Sequence, residues 1–285
     1  MATSNSESGN PASAGGERRE APRSRFNILK DILYGAIRAI ARHAHGFYTA
    51  VGIYLVSGAL IAVAGIAIFA ILARFVSVGS TQAFDDAVMR WMGAHRVGWI
   101  EHSLLEITAL GTGLVVMTIV IIAALFLTVT KHRYSAFLLV VATGGGILLN
   151  SALKVAFNRP RPQLFEWGTD TFSTSFPSGH AMSAAIVYST VAYLAARLEK
   201  RRWMRWITMT AAFALIVLIS ISRLYLGVHY PSDVAAGVVV GLAWAAFCMA
   251  GLEAVQVFAK RFKPKELRHE RDLKPEERRV AGFEP

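Results

Sequence analysis

The chain has 285 residues, 54% of them hydrophobic and 17% charged, with a mean hydropathy of +0.43; this excludes an ordinary soluble domain, since several runs approach the roughly 20 apolar residues a helix needs to cross a bilayer. A formal net charge of +11 would suit a nucleic-acid binder, but 23 of the 30 lysines and arginines lie in segments that alternate with the apolar runs, as topology determinants do. The single cysteine, Cys248, stands inside one of those runs and excludes an intramolecular disulfide.

Residues 1–24 are rich in Ser, Gly, Ala, Pro and charge, which predicts a disordered N-terminal tail. Over 25–46, Ile28, Leu29, Ile32, Leu33, Ile37 and Ile40 recur at mostly helical spacing beside Lys30, Arg38 and Arg42, the pattern of an interfacial amphipathic helix on anionic lipids. The membrane domain is expected over 47–258 as six spans, at 47–75, about 105–130, 134–157, 177–198, 206–221 and 232–258. The first is too long for the apolar region of a cleaved signal peptide. The fifth is short unless Trp203 and Trp206 join it as interfacial aromatics. Between the first two spans, Phe84, Val88, Trp91 and Met92 share a stripe, predicting a second interfacial helix within 84–99 that borders the lipid entry route. Residues 259–285 form a basic tail, solvated or touching lipid, with no nucleic acid as partner. His43, His45, His95, His102, His132 and His269 have no Cys, Asp or Glu at ligand spacing, so no metal is expected.

If the six spans alternate, the 23 basic residues share one side with both termini, which places the termini in the cytoplasm. The opposite, extracytoplasmic face receives three polar blocks. In the first, 154–162, Lys154 lies seven residues before Arg161, and Pro160 and Pro162 indicate an extended exit that lets Arg161 fold back toward Lys154. Arg159 in the same block is a candidate fourth cation, but a solvated or headgroup-bound side chain is the safer reading. In the second, 175–180, Pro177 suits a first helical turn, so the N–H groups of Ser178 and Gly179 and the Ser178 hydroxyl are free for an anion. Gly179 lets backbone come close to a phosphoryl oxygen, and His180 is placed to protonate a departing one. In the third, 222–233, Arg223 supplies another cation, Pro231 opens a helix, and Asp233 can hold one ring nitrogen of His229 while the other attacks phosphorus. Lys154, Arg161 and Arg223 thus stand where a magnesium ion would otherwise serve a transferring phosphoryl group.

These blocks closely resemble the type-2 phosphatidic acid phosphatase superfamily, whose pattern is Lys, six residues, Arg-Pro; Pro-Ser-Gly-His; and Ser-Arg, five residues, His, three residues, Asp. Here the pattern falls without departure on Lys154 and Arg161-Pro162, on Pro177-Ser178-Gly179-His180, and on Ser222-Arg223, His229 and Asp233. The resemblance implies an all-α polytopic membrane enzyme that needs no cofactor. In it His229 is the nucleophile oriented by Asp233, His180 is the general acid, and Lys154, Arg161, Ser178, Gly179 and Arg223 bind phosphate. Its implied partner is a membrane lipid phosphate: undecaprenyl diphosphate is favoured, with phosphatidic acid and phosphatidylglycerol phosphate as further models, in a bacterial plasma membrane. Two other readings stand beside it, a lipid phosphotransferase and a non-catalytic lipid- or anion-binding membrane protein.

Overall fold

A computed structural model describes residues 47–169 and 173–261; the tail and amphipathic helix expected within 1–46, and the tail beyond Arg261, lie outside them. Among the described residues there are eight helices and no strand: α1 Phe47–Ser77, α2 Gln82–Ala94, α3 Gly98–Ala109, α4 Gly113–Val129, α5 Arg133–Phe157, α6 Gly179–Leu198, α7 Arg202–Tyr225 and α8 Pro231–Arg261. Five of them (α1, α5, α6, α7 and α8) are long and apolar enough to cross a membrane singly, and α3 with α4 forms a sixth, broken span. This is an all-helical membrane protein, as the sequence implies. Helices satisfy every backbone polar group internally, the condition a bilayer imposes.

Lipid tails are as apolar as leucine, so helices in a bilayer associate through close packing at small residues. Around α8 this is explicit. A Cβ on Gly237 would lie 2.6 Å from the Ser178 carbonyl oxygen, and one on Gly241 2.8 Å from that of Met182, so these glycines, four residues apart, let α6 lie directly on α8. On another side, Gly58 and Gly65 of α1 take the methyl groups of Ala250 and Ala243, where added Cβ atoms would come within 2.5 and 2.3 Å. Positions seven apart return to one helix face, which makes the seam continuous. Trp244 of α8 lies over Gly145 of α5 and donates its Nε1–H to the Ala142 carbonyl at 2.8 Å. The main core then joins Val116 and Val120 of α4, Leu139 and Ala142 of α5, and Met182 and Ile186 of α6. On the far side of α6, Ile216 and Ile219 of α7 pack on Ala184, Ala185 and Tyr188.

The outward faces remain apolar, with Leu60, Val63 and Ile66 of α1 and Ile121, Ile122 and Leu125 of α4 exposed to the lipid. Trp203 and Trp206 do belong to α7, which lengthens the fifth span to 24 residues.

Two expectations need correction. The second span is not one helix: α3 and α4 meet at 45° across Leu110, Gly111 and Thr112. The break has a physical use. Tyr188 donates its hydroxyl to the Leu110 carbonyl at 2.7 Å, and a Cβ on Gly111 would lie 2.8 Å from Ile219 Cγ2 and 3.2 Å from His180 Cδ2. The segment 84–99 is likewise two pieces, since α2 stops at Ala94 and Trp99 belongs to α3. On α2, Phe84 and Trp91 face outward, while the side turned to the protein buries Asp85 with Met89.

Candidate active site

The ends of four spans meet at one end of the bundle. The α5 helix closes on Lys154 in its last turn, and Asn158 caps it in the left-handed region at φ 40°, which turns the chain sharply outward. Asparagine tolerates this conformation better than most residues. The two prolines that follow keep the segment extended, and Arg161 folds back as expected. Its Nη1 donates to the Val228 carbonyl at 2.6 Å and to His229 Nε2 at 3.2 Å, and its Nε donates to the Ser173 carbonyl at 2.7 Å. Lys154 Nζ reaches the same stretch, donating to Ser173 Oγ at 3.1 Å and to the Thr174 carbonyl at 2.5 Å.

The start of α6 lies between these cations and α8. Ser178 is its N-cap with extended backbone, followed by Gly179 and His180. One expectation fails here: the Ser178 N–H is not free but donates to the Asp233 carbonyl at 3.0 Å, a bond made possible by the close approach at Gly237. The Ser178 hydroxyl, by contrast, is buried and has no hydrogen-bond partner among the described residues. The N–H groups of Gly179 and His180 open the helix, where no intrahelical acceptor exists and an anion is favoured.

At the end of α7, Arg223 is 2% exposed; its Nη1 donates to Thr108 Oγ1 of α3 at 2.9 Å, and its Nε is buried without a partner among the described residues. The chain then turns through Gly227 at φ 79°, against the Phe165 ring, and delivers His229 just before Pro231 opens α8. Arg161 of the first block bonds Val228 and His229 of the third, and Ser178 of the second bonds Asp233 of the third, so the three blocks do converge.

The state of His229 follows from its contacts. An arginine can only donate, so the nitrogen facing Arg161, Nε2, carries the lone pair and Nδ1 carries the hydrogen. That hydrogen points toward Asp233 Oδ2 at 3.6 Å and Ser175 Oγ at 3.5 Å, and Ser175 itself donates to Asp233 Oδ2. The expected His–Asp pair is thus in place at 3.6 Å, with Ser175 beside both partners. Burial lowers the His229 pKa to about 4; Asp233 opposes the shift, while Arg161 and Arg223 add to it. Burial also lowers the pKa of Arg161, with Asp233 opposing.

Arg159 overturns its solvated reading. Its side chain is 10% exposed, with Nη1 donating to Asp233 Oδ1 at 2.6 Å and Ser232 Oγ at 2.8 Å, and Nη2 to Asp85 Oδ2 at 2.9 Å and Gln82 Oε1 at 3.1 Å. Although burial opposes it, the Asp233 and Asp85 carboxylates hold its pKa above the ordinary arginine value. Asp85, Ser175 and Thr108 are further neighbours of the site that the sequence did not single out. Among the described residues no three His, Cys, Asp or Glu side chains gather at metal-ligand spacing. The arrangement sets cations, an orphaned hydroxyl and helix-start N–H groups around an unprotonated imidazole nitrogen.

The family model of the PAP2 superfamily matches residues 134–256. The chain is 33% identical over 178 residues to the phosphatidylglycerophosphatase B of Bacillus subtilis, a match that covers 61% of this chain and 86% of that protein. It is 31% identical over 140 residues to an undecaprenyl-diphosphatase of Sulfolobus acidocaldarius, covering 47% of this chain and 62% of the relative. Among solved structures, it resembles the crystal structure of a transmembrane PAP2-type phosphatidylglycerolphosphate phosphatase from Bacillus subtilis, with a TM-score of 0.63 at 30% identity, covering 71% of this chain and 97% of the other.

Proposed function

The chain belongs to the PAP2 superfamily, and from that membership we propose that it hydrolyses a membrane lipid phosphate through a phosphohistidine formed on His229. The observation that carries this reading is the 3.2 Å contact of Arg161 Nη1 with His229 Nε2, which leaves the nucleophilic lone pair on the side of the phosphate-binding cations.

In the first step Nε2 forms a bond to phosphorus as the bond to the lipid oxygen breaks. The Nδ1–H then belongs to an imidazolium, stabilised by Asp233 and Ser175 beside it. Lys154, Arg161 and Arg223, the Ser178 hydroxyl and the Gly179 N–H hold the phosphoryl oxygens, where charge develops. His180 gives its proton to the departing oxygen and afterwards takes one from the water that attacks the phosphohistidine. Inorganic phosphate leaves and His229 returns to its neutral form.

Two relatives bear on the substrate. The one matched over most of its length is named for a phosphatidylglycerol phosphate monoester, the other for undecaprenyl diphosphate. We rank the monoester first, ahead of the diphosphate that the family resemblance favoured. A lipid reaches the site from the outer leaflet of a plasma membrane, because the basic loops lie at the opposite end of the bundle.

The test uses purified wild type and His229→Ala in detergent, with chelator present, offered phosphatidylglycerol phosphate, phosphatidic acid and undecaprenyl diphosphate. Wild type releases phosphate from at least one and yields an acid-labile phosphoprotein on quenching; the variant does neither. Phosphate release by His229→Ala would overturn the mechanism, and transfer of phosphate to an added lipid alcohol in place of release would make the protein a phosphotransferase.

A further inference from the structure

Arg159 lies two residues from the phosphate-binding Arg161 yet has a different environment. A guanidinium carries five N–H donors, four of them on the two Nη atoms. In Arg159 the Nη atoms already make four bonds, to Asp233, Ser232, Asp85 and Gln82. Its flat face lies over the Tyr230 ring, 4.3 Å from the centroid. Little of the group is left to meet a phosphoryl oxygen.

Its partners divide the Asp233 carboxylate in two. Oδ1 takes the Arg159 bond, while Oδ2 takes the Tyr230 N–H at 2.9 Å and the Ser175 hydroxyl and faces His229 Nδ1. Fixing one oxygen fixes the direction of the other. Arg159 is fixed in turn by Asp85 of α2, a fully buried carboxylate that also accepts the Ser232 N–H at 3.1 Å and the Ser232 hydroxyl at 2.6 Å. Ser232 immediately precedes Asp233, so Asp85 and Arg159 grip the first turn of α8 from two sides.

We propose that Arg159, anchored by Asp85, is a positioning residue for phosphohistidine formation: it holds Asp233 so that Oδ2 faces His229, and it makes no contact with the phosphoryl group. The inference rests on His229 being the nucleophile. It assigns α2 a role beyond lying at the membrane surface, because that helix supplies the far anchor of the carboxylate.

Kinetics of Arg159→Lys, Arg159→Gln and Asp85→Asn in detergent, on a lipid phosphate that wild type hydrolyses, test it. Lysine keeps the charge but not the fork, so kcat falls about 10- to 100-fold, as for a reacting group misplaced by a fraction of an ångström to one ångström, while KM stays within about twofold. Asp85→Asn shows the same split in milder form. The pH profile adds a readout that a merely structural role would not move. The charged and titratable groups facing the His229–Asp233 pair are Arg159, Asp85, Lys154, Arg161, Arg223 and His180. Removing only the Arg159 charge strengthens the pull of Asp233 on the imidazolium, so in Arg159→Gln the acid limb of kcat/KM moves up by about one pH unit; in Arg159→Lys it stays.

If Arg159→Gln does not fold, the lysine and Asp85→Asn variants carry the test alone. A rise in KM with kcat unchanged would make Arg159 a phosphate ligand and overturn the proposal, and so would kinetics like wild type in both variants. Failure of the underlying reading looks different, since wild type would then trap no phosphohistidine and His229→Ala would stay active in the same assay.

Discussion

On the proposed mechanism, the cations around His229 set its pH behaviour. Burial, reinforced by Arg161 and Arg223 and opposed by Asp233, lowers its pKa to about 4. Above that value the lone pair on Nε2 is available; below it the ring is an imidazolium and cannot attack. The acid limb of kcat/KM therefore falls as pH drops through about 4, well below the limb near 6.5 that an ordinary histidine would show, and a pH–rate profile in detergent reads it directly. In the same proposal, His180 serves the leaving group. A diphosphate releases a lipid monophosphate, which needs less proton assistance than the alkoxide left by a monoester. His180→Ala is thus expected to cost about 10²- to 10⁴-fold on a monoester and much less on a diphosphate, and equal losses on both would remove its role as acid. Lys154, Arg161, Ser178, Gly179, His180, Arg223, His229 and Asp233 were all legible in the sequence, because their spacing is local within three short blocks. Arg159 and Asp85 were not. They lie 74 residues apart, and neither a charge among prolines nor an aspartate on an amphipathic helix reveals its partner before the chain folds.

The elements reach the site through glycine seams, and those seams carry as much functional information as the motifs. Gly237 allows the Ser178 N–H to bond the Asp233 carbonyl, which locks the start of α6 to the start of α8. A methyl group there would meet the Ser178 carbonyl oxygen at 2.6 Å, a backbone atom that cannot swing aside. Gly237→Ala should therefore destabilise by about 1–3 kcal/mol and lower kcat at least tenfold, as the start of α6 moves away from His229. Gly251, on the same helix with nothing within 4 Å of its Cβ position, serves as the control: alanine there leaves activity unchanged and stability equal or higher. Equal behaviour of the two variants, measured by thermal unfolding and phosphate release, would count against the seam as the positioning device. The break between α3 and α4 belongs to the same scale. A hydropathy window averages over Leu110, Gly111 and Thr112 and sees one span, because the reason for the bend, the His180 ring and Ile219 against Gly111, comes from helices distant in sequence. The segment 84–99 was joined in the same way, its apolar residues continuing past the point where α2 ends.

Across the whole molecule the charge divides by end. Lys131 between α4 and α5, and Lys200, Arg201, Arg202 and Arg205 around the start of α7, lie at the end opposite the site. That end is also clasped, with Arg197 of α6 bonding Glu253 and donating to Gln256 Oε1 of α8 at 2.8 Å. At the site end, the cations outside the site are Arg74, Arg90 and Arg96, and Arg96 is engaged by Glu101 and the Glu166 carbonyl. Short basic loops are retained on the cytoplasmic side, and on that rule we propose that the site faces outward. The consequence can be read without an activity assay. In a Cys248→Ala background, a cysteine at exposed Gln163, beside the site, and another at exposed Lys200, at the far end, report the two sides. A membrane-impermeant maleimide added to intact cells should label Gln163→Cys and leave Lys200→Cys untouched until the membrane is permeabilised. The reverse pattern would put the cation cradle in the cytosol and remove the outer leaflet as the source of its lipid. The four site cations would then have to outweigh the basic loops in setting orientation, yet Lys154, Arg159, Arg161 and Arg223 are all bound into hydrogen bonds with protein groups.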